Sequence, residues 1–471
     1  AGFFGINMEY HSYKSDTAYA SCPPILDARY RVVEKVIDAA EASDKKTTSK
    51  KTFDANRSTK AGLGETLKSL KNSIPSAFGF VEGSGLLYGL SILARTFFPS
   101  WLESHKSKKS YEPFCEPEIA SKINKEEGER SLSPEEKAEL VKTAFDMMGW
   151  ESFAPIVVFV GHESDTSNNP FASSLDCGAC AGNAGRPNAR LLAKLANEKN
   201  VRFLLNHTYG FNIPEDTVFI GGSHNTTTDE IVLFDDHIPE CHKQTIAALN
   251  EKLKAAQKEA TAERLGSQQK SVELAVKKAN DWAETRPEWG LAKNSGFIVG
   301  ARSLTENLNL HGQCFLHSYN WRSDTDGAIL NNIMQGPMVV TQWINNHYFF
   351  STTDNEVFGS GSKITHNVVS TFGLVQGNGG DLKRGLPLQS LNRSDADYYH
   401  RPMRLTVLLH APLYRVESIL KSNPHALQIL PENEWIYLLV MDPKQENEIF
   451  TYNKNMNWET DNKKMSAVMA D

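Results

Sequence analysis

Residues 154–160, APIVVFV, contain five consecutive apolar side chains, most of them β-branched. Branching at Cβ restricts χ1 and favours extended backbone. A run with no polar alternation predicts a strand buried on both faces, as in a parallel sheet. Just upstream, Ser133, Pro134 and Glu136 form a helix start. Ser133 is the N-cap, Pro134 takes the first helical position and Glu136 closes a capping box. Val141, Ala144, Phe145 and Met148 then fall on one helical face. Residues 186–199 predict a further helix, and residues 216–225 and 230–236 predict two strands. RLTVLLHAP (404–412) and WIYLLVM (435–441) predict late core strands. The expected class is α/β, with a mostly parallel sheet core, flanking helices and a large helical and loop-rich insertion.

A chain of 471 residues with 40% hydrophobic and 10% aromatic content can bury a sizeable core. A net charge of -7 argues against general nucleic-acid binding. Six cysteines are too few for a disulfide scaffold, which favours a reducing compartment. GLLYGLSILARTFF (85–98) is interrupted by Arg95, and no run of 18 apolar residues exists. The expectation is a buried helix, with a membrane- or partner-facing helix as the alternative. Residues 43–60 read as a polar, lysine-rich loop and 104–131 as a charged surface excursion. Residues 244–282 predict one long amphipathic helix or a helix pair. Four segments follow: 1–132, helical and loop-rich; 133–240, the α/β core; 241–300, amphipathic helical; and 301–471, rich in Trp, Gly and His with the late strands.

The strand at 156–160 runs into GHESDTSNNPFASSLDCGAC, residues 161–180. In open α/β sheets, sites form at the carboxyl ends of strands. His162, Cys177 and Cys180 are therefore metal-ligand candidates. The spacing is not that of a zinc finger, and Thr166 stands where H-E-x-x-H needs its second His. Three readings stay open here: a metal site, buried structural cysteines, and a C-x-x-C redox pair. His224 lies past another strand as a ligand candidate or a hydrogen-bonded loop histidine. Asp176 and Ser164 are candidates for orienting the ligands. His366, Asn367 and Asp381 lie in or beside glycine-rich stretches that do not match a Walker A loop.

Several long stretches carry a resemblance to a known family. They include SNNPFASSLDCGAC, GRPNARLLAKLAN, HNTTTDE, RPEWGLAKN, FLHSYNW, QWINNHYFFSTTDN, FGSGSKITHNVV and GNGGDLKRGLPLQS. With AGFFG and GLLYG, they resemble the inorganic-carbon transporter subunit family DabA from residue 1 to about 415. The resemblance implies a β-carbonic-anhydrase-like core binding Zn2+. It also implies a DabB-like integral membrane proton-channel partner, and a peripheral position at the cytoplasmic face of the inner membrane. The implied activity is vectorial conversion of CO2 to bicarbonate. Of the family's zinc ligands, the His and the second Cys map onto His162 and Cys177, while Cys180 falls outside the usual set. The remaining Cys and Asp belong to a C-x-D-x-R motif that does not occur in this chain. Cys22 stands five residues before Asp27 and Arg29 follows, so this stretch does not fit the motif. The motif is expected upstream of Ala1. A non-catalytic subunit that docks a membrane protein through a structural-zinc fold, and an unrelated zinc hydrolase, are the rival readings.

Overall fold

The computed structural model describes residues 5–13, 18–24, 26–36, one helix and scattered positions within 59–102, 115–124, 128–169, 171–234, 238–266, 269–281, 290–369, 373–376 and 380–460. The loop expected at 43–60 lies outside these residues apart from Thr59.

The chain is α/β, but its sheets are mixed rather than mostly parallel. A five-stranded sheet has the order β2-β1-β3-β4-β5, built from β1 (Met8–His11), β2 (Ala18–Ser21), β3 (Tyr30–Val36), β4 (Cys115–Asn124) and β5 (Gly128–Arg130). Only its β1–β3 pair is parallel. β4 corrects the expectation of a surface excursion over 104–131, because Cys115, Pro117 and Ser121 are buried. Alternate positions of that charged stretch face the protein, a period-2 signal that its overall polarity obscures.

The expected strand forms as β6 (Ile156–Glu163). It pairs in parallel with β7 (Val218–Asn225), which pairs antiparallel with β8 (Ile231–Phe234). β6 is the edge of this three-stranded sheet, and its side chains are mostly half-buried, so it is not buried on both faces. Phe159 is buried and Val160 is 45% exposed.

Helix α1 (Ile74–Phe97) belongs to the insertion between β3 and β4. Helix α2 (Pro134–Met148) begins with the predicted capping box and ends at Gly149 in the left-handed region, φ 63°. Its buried face comprises Ala138, Val141, Ala144, Phe145 and Met148. Helix α3 (Arg186–Asn197) contacts β4 on one side and β6 and β7 on the other. This sandwich explains why Leu191, Leu192, Leu195 and even Arg190 are buried. The Arg190 guanidinium donates to the Cys115 carbonyl. Helix α4 (Lys199–His207) packs on α2. Phe145 is the hub of an aromatic group, with its ring centroid 5.0–5.7 Å from those of Trp150, Phe153, Phe211 and Phe219.

The expected helix segment 244–282 is a pair, α5 (Lys243–Leu265) and α6 (Ser271–Asn280). Gly266, at φ 66°, ends α5, and Thr261 hydrogen-bonds Ser271 at 2.9 Å across the pair.

The late strands are central to a second core. β9 (Gly296–Gly300), β10 (Cys314–Ser318), β13 (Leu405–His410) and β14 (Ile436–Asp442) are parallel, in the order β10-β9-β13-β14. β15 (Glu448–Tyr452) and β16 (Trp458–Thr460) extend the sheet antiparallel. β11 (His366–Val369) and β12 (Gly373–Gln376) form a separate hairpin. Helix α7 (Val339–Thr353) and helix α8 (Leu413–Ser422) contribute Val340, Val416 and Leu420 to the buried interior.

One position tests the β6–α3 packing directly. A Cβ on Gly161 would lie 2.3 Å from the carbonyl carbon and oxygen of Gly185, which are backbone atoms. Gly161→Ala is expected to lower unfolding stability by at least ~2 kcal/mol in urea titration. Gly83→Ala, where a Cβ meets nothing within 4 Å, is expected to change it by no more than about 1 kcal/mol.

Candidate functional site

β6 and β7 run parallel in a register that places His162 beside His224. Past β6, residues 164–185 wrap back to the start of α3. The Gly185 N–H donates to the His162 carbonyl at 2.9 Å, closing this loop onto the strand end. Within the loop, Cys177 and Cys180 flank a tight turn. The N–H groups of Cys180 and Gly182 both donate to the Cys177 carbonyl, at 2.9 and 3.0 Å. Ala181 and Gly182 follow in the left-handed region, at φ 55° and 74°.

These elements form one wall of a cavity of about 600 Å³. His162, Cys177, Cys180, Asn188 and His224 lie on that wall. Phe297, Phe315, Val340 and Ile344, from β9, β10 and α7, line the cavity as well. Arg264, Lys293 and Tyr399 also line the cavity. The site is therefore the junction between the three-stranded and six-stranded sheets.

Burial pushes the His162 imidazole down to about 4, with the neighbouring His224 acting in the same direction. His162 is therefore neutral near pH 7, and its Nδ1 has no hydrogen-bond partner. The two thiols are hydrogen-bonded and move apart. The bond to Cys180 and burial raise Cys177, whereas the bond from Cys177, with Ser21 and Asn188, lowers Cys180 against burial. Asn188 Nδ2 donates to Cys180 Sγ at 3.5 Å. Asp176 accepts from the Ser164 N–H at 2.7 Å and from its hydroxyl at 3.0 Å. Burial outweighs those bonds and pushes Asp176 up to about 6. Glu163 pairs with Arg186 at 2.7 Å. His224 lies 3.6 Å from Asp229, which Arg264 holds at 2.8 Å.

The expected Zn2+ is not supported by this arrangement. Among the described residues, no group of three or more His, Cys, Asp or Glu side chains could hold a metal ion. His162 and Cys177 share the cavity, but the other candidate donors are committed elsewhere. Asp176 is turned to Ser164, Asp229 to Arg264, and the Cys180 sulfur accepts from Asn188. The expectation that this chain's residues present a zinc site is corrected on that ground. Asp176 and Ser164, expected to orient the ligands, instead bond each other. His366, Asn367 and Asp381 do not line the cavity, and His366 instead bonds Asn168 at 3.1 Å. Sequence reading missed Asn188, Arg264, Lys293 and Tyr399. They come from two helices and two loops, and nothing local marks them as neighbours.

The sequence pattern of the family described as "Probable inorganic carbon transporter subunit DabA" matches residues 1–436. The chain belongs to the DabA family. A relative of that description from Haloarcula marismortui is 46% identical over 473 residues, covering 98% of this chain and 57% of the relative. One from Salinibacter ruber is 46% identical, covering 97% of this chain and 58% of its own length. One from Legionella pneumophila (strain Lens) is 40% identical, covering 96% and 59%. The chain thus spans a little over half the length of these DabA relatives. No solved structure matches it.

The opposed shifts in this DabA-family site have opposite consequences for stability. The His162 value is depressed in the fold, so below about pH 6.5 the unfolded chain takes up a proton that the folded chain refuses, and stability falls toward pH 4. The Asp176 value is raised, so its unfavourable contribution is relieved as pH drops from about 6 toward 3.8. Urea midpoints compared at about pH 7 and about pH 5 should fall less for His162→Gln than for the parent, and more for Asp176→Asn.

Proposed function

We propose that this chain carries the carbon-handling cavity of a membrane-associated inorganic carbon transporter. In the complete protein, with a DabB-like membrane partner, the cavity converts CO2 and water to bicarbonate and a proton. The observation that carries this reading is the cavity at the β6–β7 strand ends. It combines the polar wall of His162, Cys177 and Cys180 with apolar side chains from Phe315, Val340 and Ile344. CO2 is apolar and its product is an anion, so a site of this kind needs an apolar approach and polar groups at its end.

His162 and Cys177 are the residues on which we expect the activity to depend. His162 is neutral at working pH and presents an unpartnered nitrogen as a hydrogen-bond acceptor or donor. Cys177 donates within the thiol pair and holds the turn whose sulfurs line the cavity. A non-catalytic docking subunit would share the membrane association but would leave this lined cavity without a role.

The test uses the complete protein, co-expressed with its membrane partner in bacteria that lack carbonic anhydrase. The parent should restore growth in air and uptake of labelled inorganic carbon. His162→Ala and Cys177→Ser should each reduce uptake at least ~10-fold while the protein accumulates to parental levels. Full uptake by both variants would overturn the assignment of this cavity as the reactive site.

A further inference from the structure

The insertion between β3 and β4 contains a surface that the cavity does not explain. Helix α1 has 24 residues, and at 1.5 Å per residue it is about 36 Å long. Its segment Pro75–Phe97 is long and apolar enough to cross a membrane, and none of it is buried. This corrects the expectation of a buried helix too short to span a bilayer. The glycines, Glu82 and Arg95 interrupt the apolar run, but the helix extends beyond it.

Phe78, Leu86, Leu87 and Leu90 are between 57% and 78% exposed. Successive helical residues turn by about 100°, so these four project over more than one face. A helix apolar on several sides needs an apolar surrounding, not a single contact stripe. The segment before it adds a second apolar element. Leu63, Leu67 and Leu70 are helical and exposed, at the i, i+4, i+7 spacing of one face.

The strand register decides how such a helix can meet a membrane. Val36 at the end of β3 pairs with Cys115 at the start of β4. Both ends of the insertion are therefore held on the same side of any bilayer that α1 enters. One crossing would leave them on opposite sides, and among the described residues no second helix is long and apolar enough to cross. Residues 37–58 include Lys45, Lys46, Lys50 and Lys51, and residues 99–114 include Lys106, Lys108 and Lys109. These lysine runs flank the apolar helix on both sides in sequence. Asp38, Glu41, Asp44 and Asp54 in the first stretch and Glu103 and Glu112 in the second bring each to a net charge of about +1, so only the local lysine clusters at 45–51 and 106–109 match the charge of anionic headgroups.

We propose that the insertion is a monotopic lipid anchor. Helix α1 and the leucine face before it sink into one leaflet of an anionic bilayer. The 60% exposed Trp101, just past the helix, suits the interface where aromatic side chains collect. This inference is independent of the carbon chemistry and is measured without it.

The experiment is flotation of the complete protein, without other subunits, on vesicles of phosphatidylcholine with or without phosphatidylglycerol. The parent should float with the anionic vesicles and stay bound through a high-salt wash. Leu86→Lys, Leu87→Lys and Leu90→Lys combined should reduce bound protein at least ~10-fold. Because α1 has no buried residues, this variant should keep the parental urea midpoint. Gly79→Leu with Gly83→Leu separates lipid from helix packing. A Cβ at either position meets nothing within 4 Å, so a lipid anchor tolerates the change, while close docking of a partner helix does not. Three results would each overturn the proposal. They are a parent that stays soluble with both vesicle types, a lysine variant that floats like the parent, and flotation that requires a membrane protein in the vesicles and is lost in the glycine variant.

Discussion

Gly161 on β6 and Gly185 before α3 approach so closely that a Cβ at Gly161 would fall 2.3 Å from backbone atoms of Gly185. The hydrogen bond from Gly185 N–H to the His162 carbonyl, at 2.9 Å, is made in the same contact. Together they clamp the far end of a long loop against the strand from which it departs. Cys177 and Cys180 belong to that loop, so this backbone contact determines where the thiols sit relative to His162. It also fixes the start of α3. Asn188, on the first turn of that helix, then reaches Cys180 with one side of its amide and accepts from Ile6 N–H at 2.8 Å with the other. One side chain thereby ties the cavity wall to the segment leading into β1 of the five-stranded sheet.

Behind that clamp lies a rigid support. Trp150, Phe159 and Phe219 stack at nearly parallel angles of 9° and 6°, with centroids 5.7 Å apart in each pair. Phe159 is on β6 and Phe219 on β7, so the stack links the two strands below their functional ends. Large aromatic groups bury much area with few rotatable bonds. The strand ends can therefore tolerate groups that do not contribute to stability, including a buried imidazole without a partner at Nδ1 and a carboxyl held near 6.

The cavity's electrostatics follow from burial more than from fixed charges. His162 is held neutral, Asp176 is biased toward its protonated form, and one thiol lowers the other by donating to it. The charged groups nearby are neutralised in pairs, Glu163 with Arg186 and Asp229 with Arg264.

Local sequence determined the elements whose signals are short-range. The α2 capping box, the β6 run, the α5–α6 pair and the strands β13 and β14 were legible because caps, branching and periodicity act within a few residues. The strand-end position of His162, Cys177 and Cys180 was legible for the same reason. Tertiary structure decided which of these elements become neighbours. It made β6 an edge strand, left Val160 on the wall of the cavity, and placed β4 in a sheet despite its charge. It also brought Lys293 and Tyr399 into the same cavity as His162. Composition showed that 85–98 is apolar, but could not show what would cover it. In the fold Pro75–Phe97 stays unburied, and the pairing of Val36 with Cys115 brings together the two ends of the insertion that carries α1. Metal-holding capacity was likewise beyond local reading. Ligand types can be counted along a chain, but whether three donors converge depends on the hydrogen bonds that each has already formed in the fold.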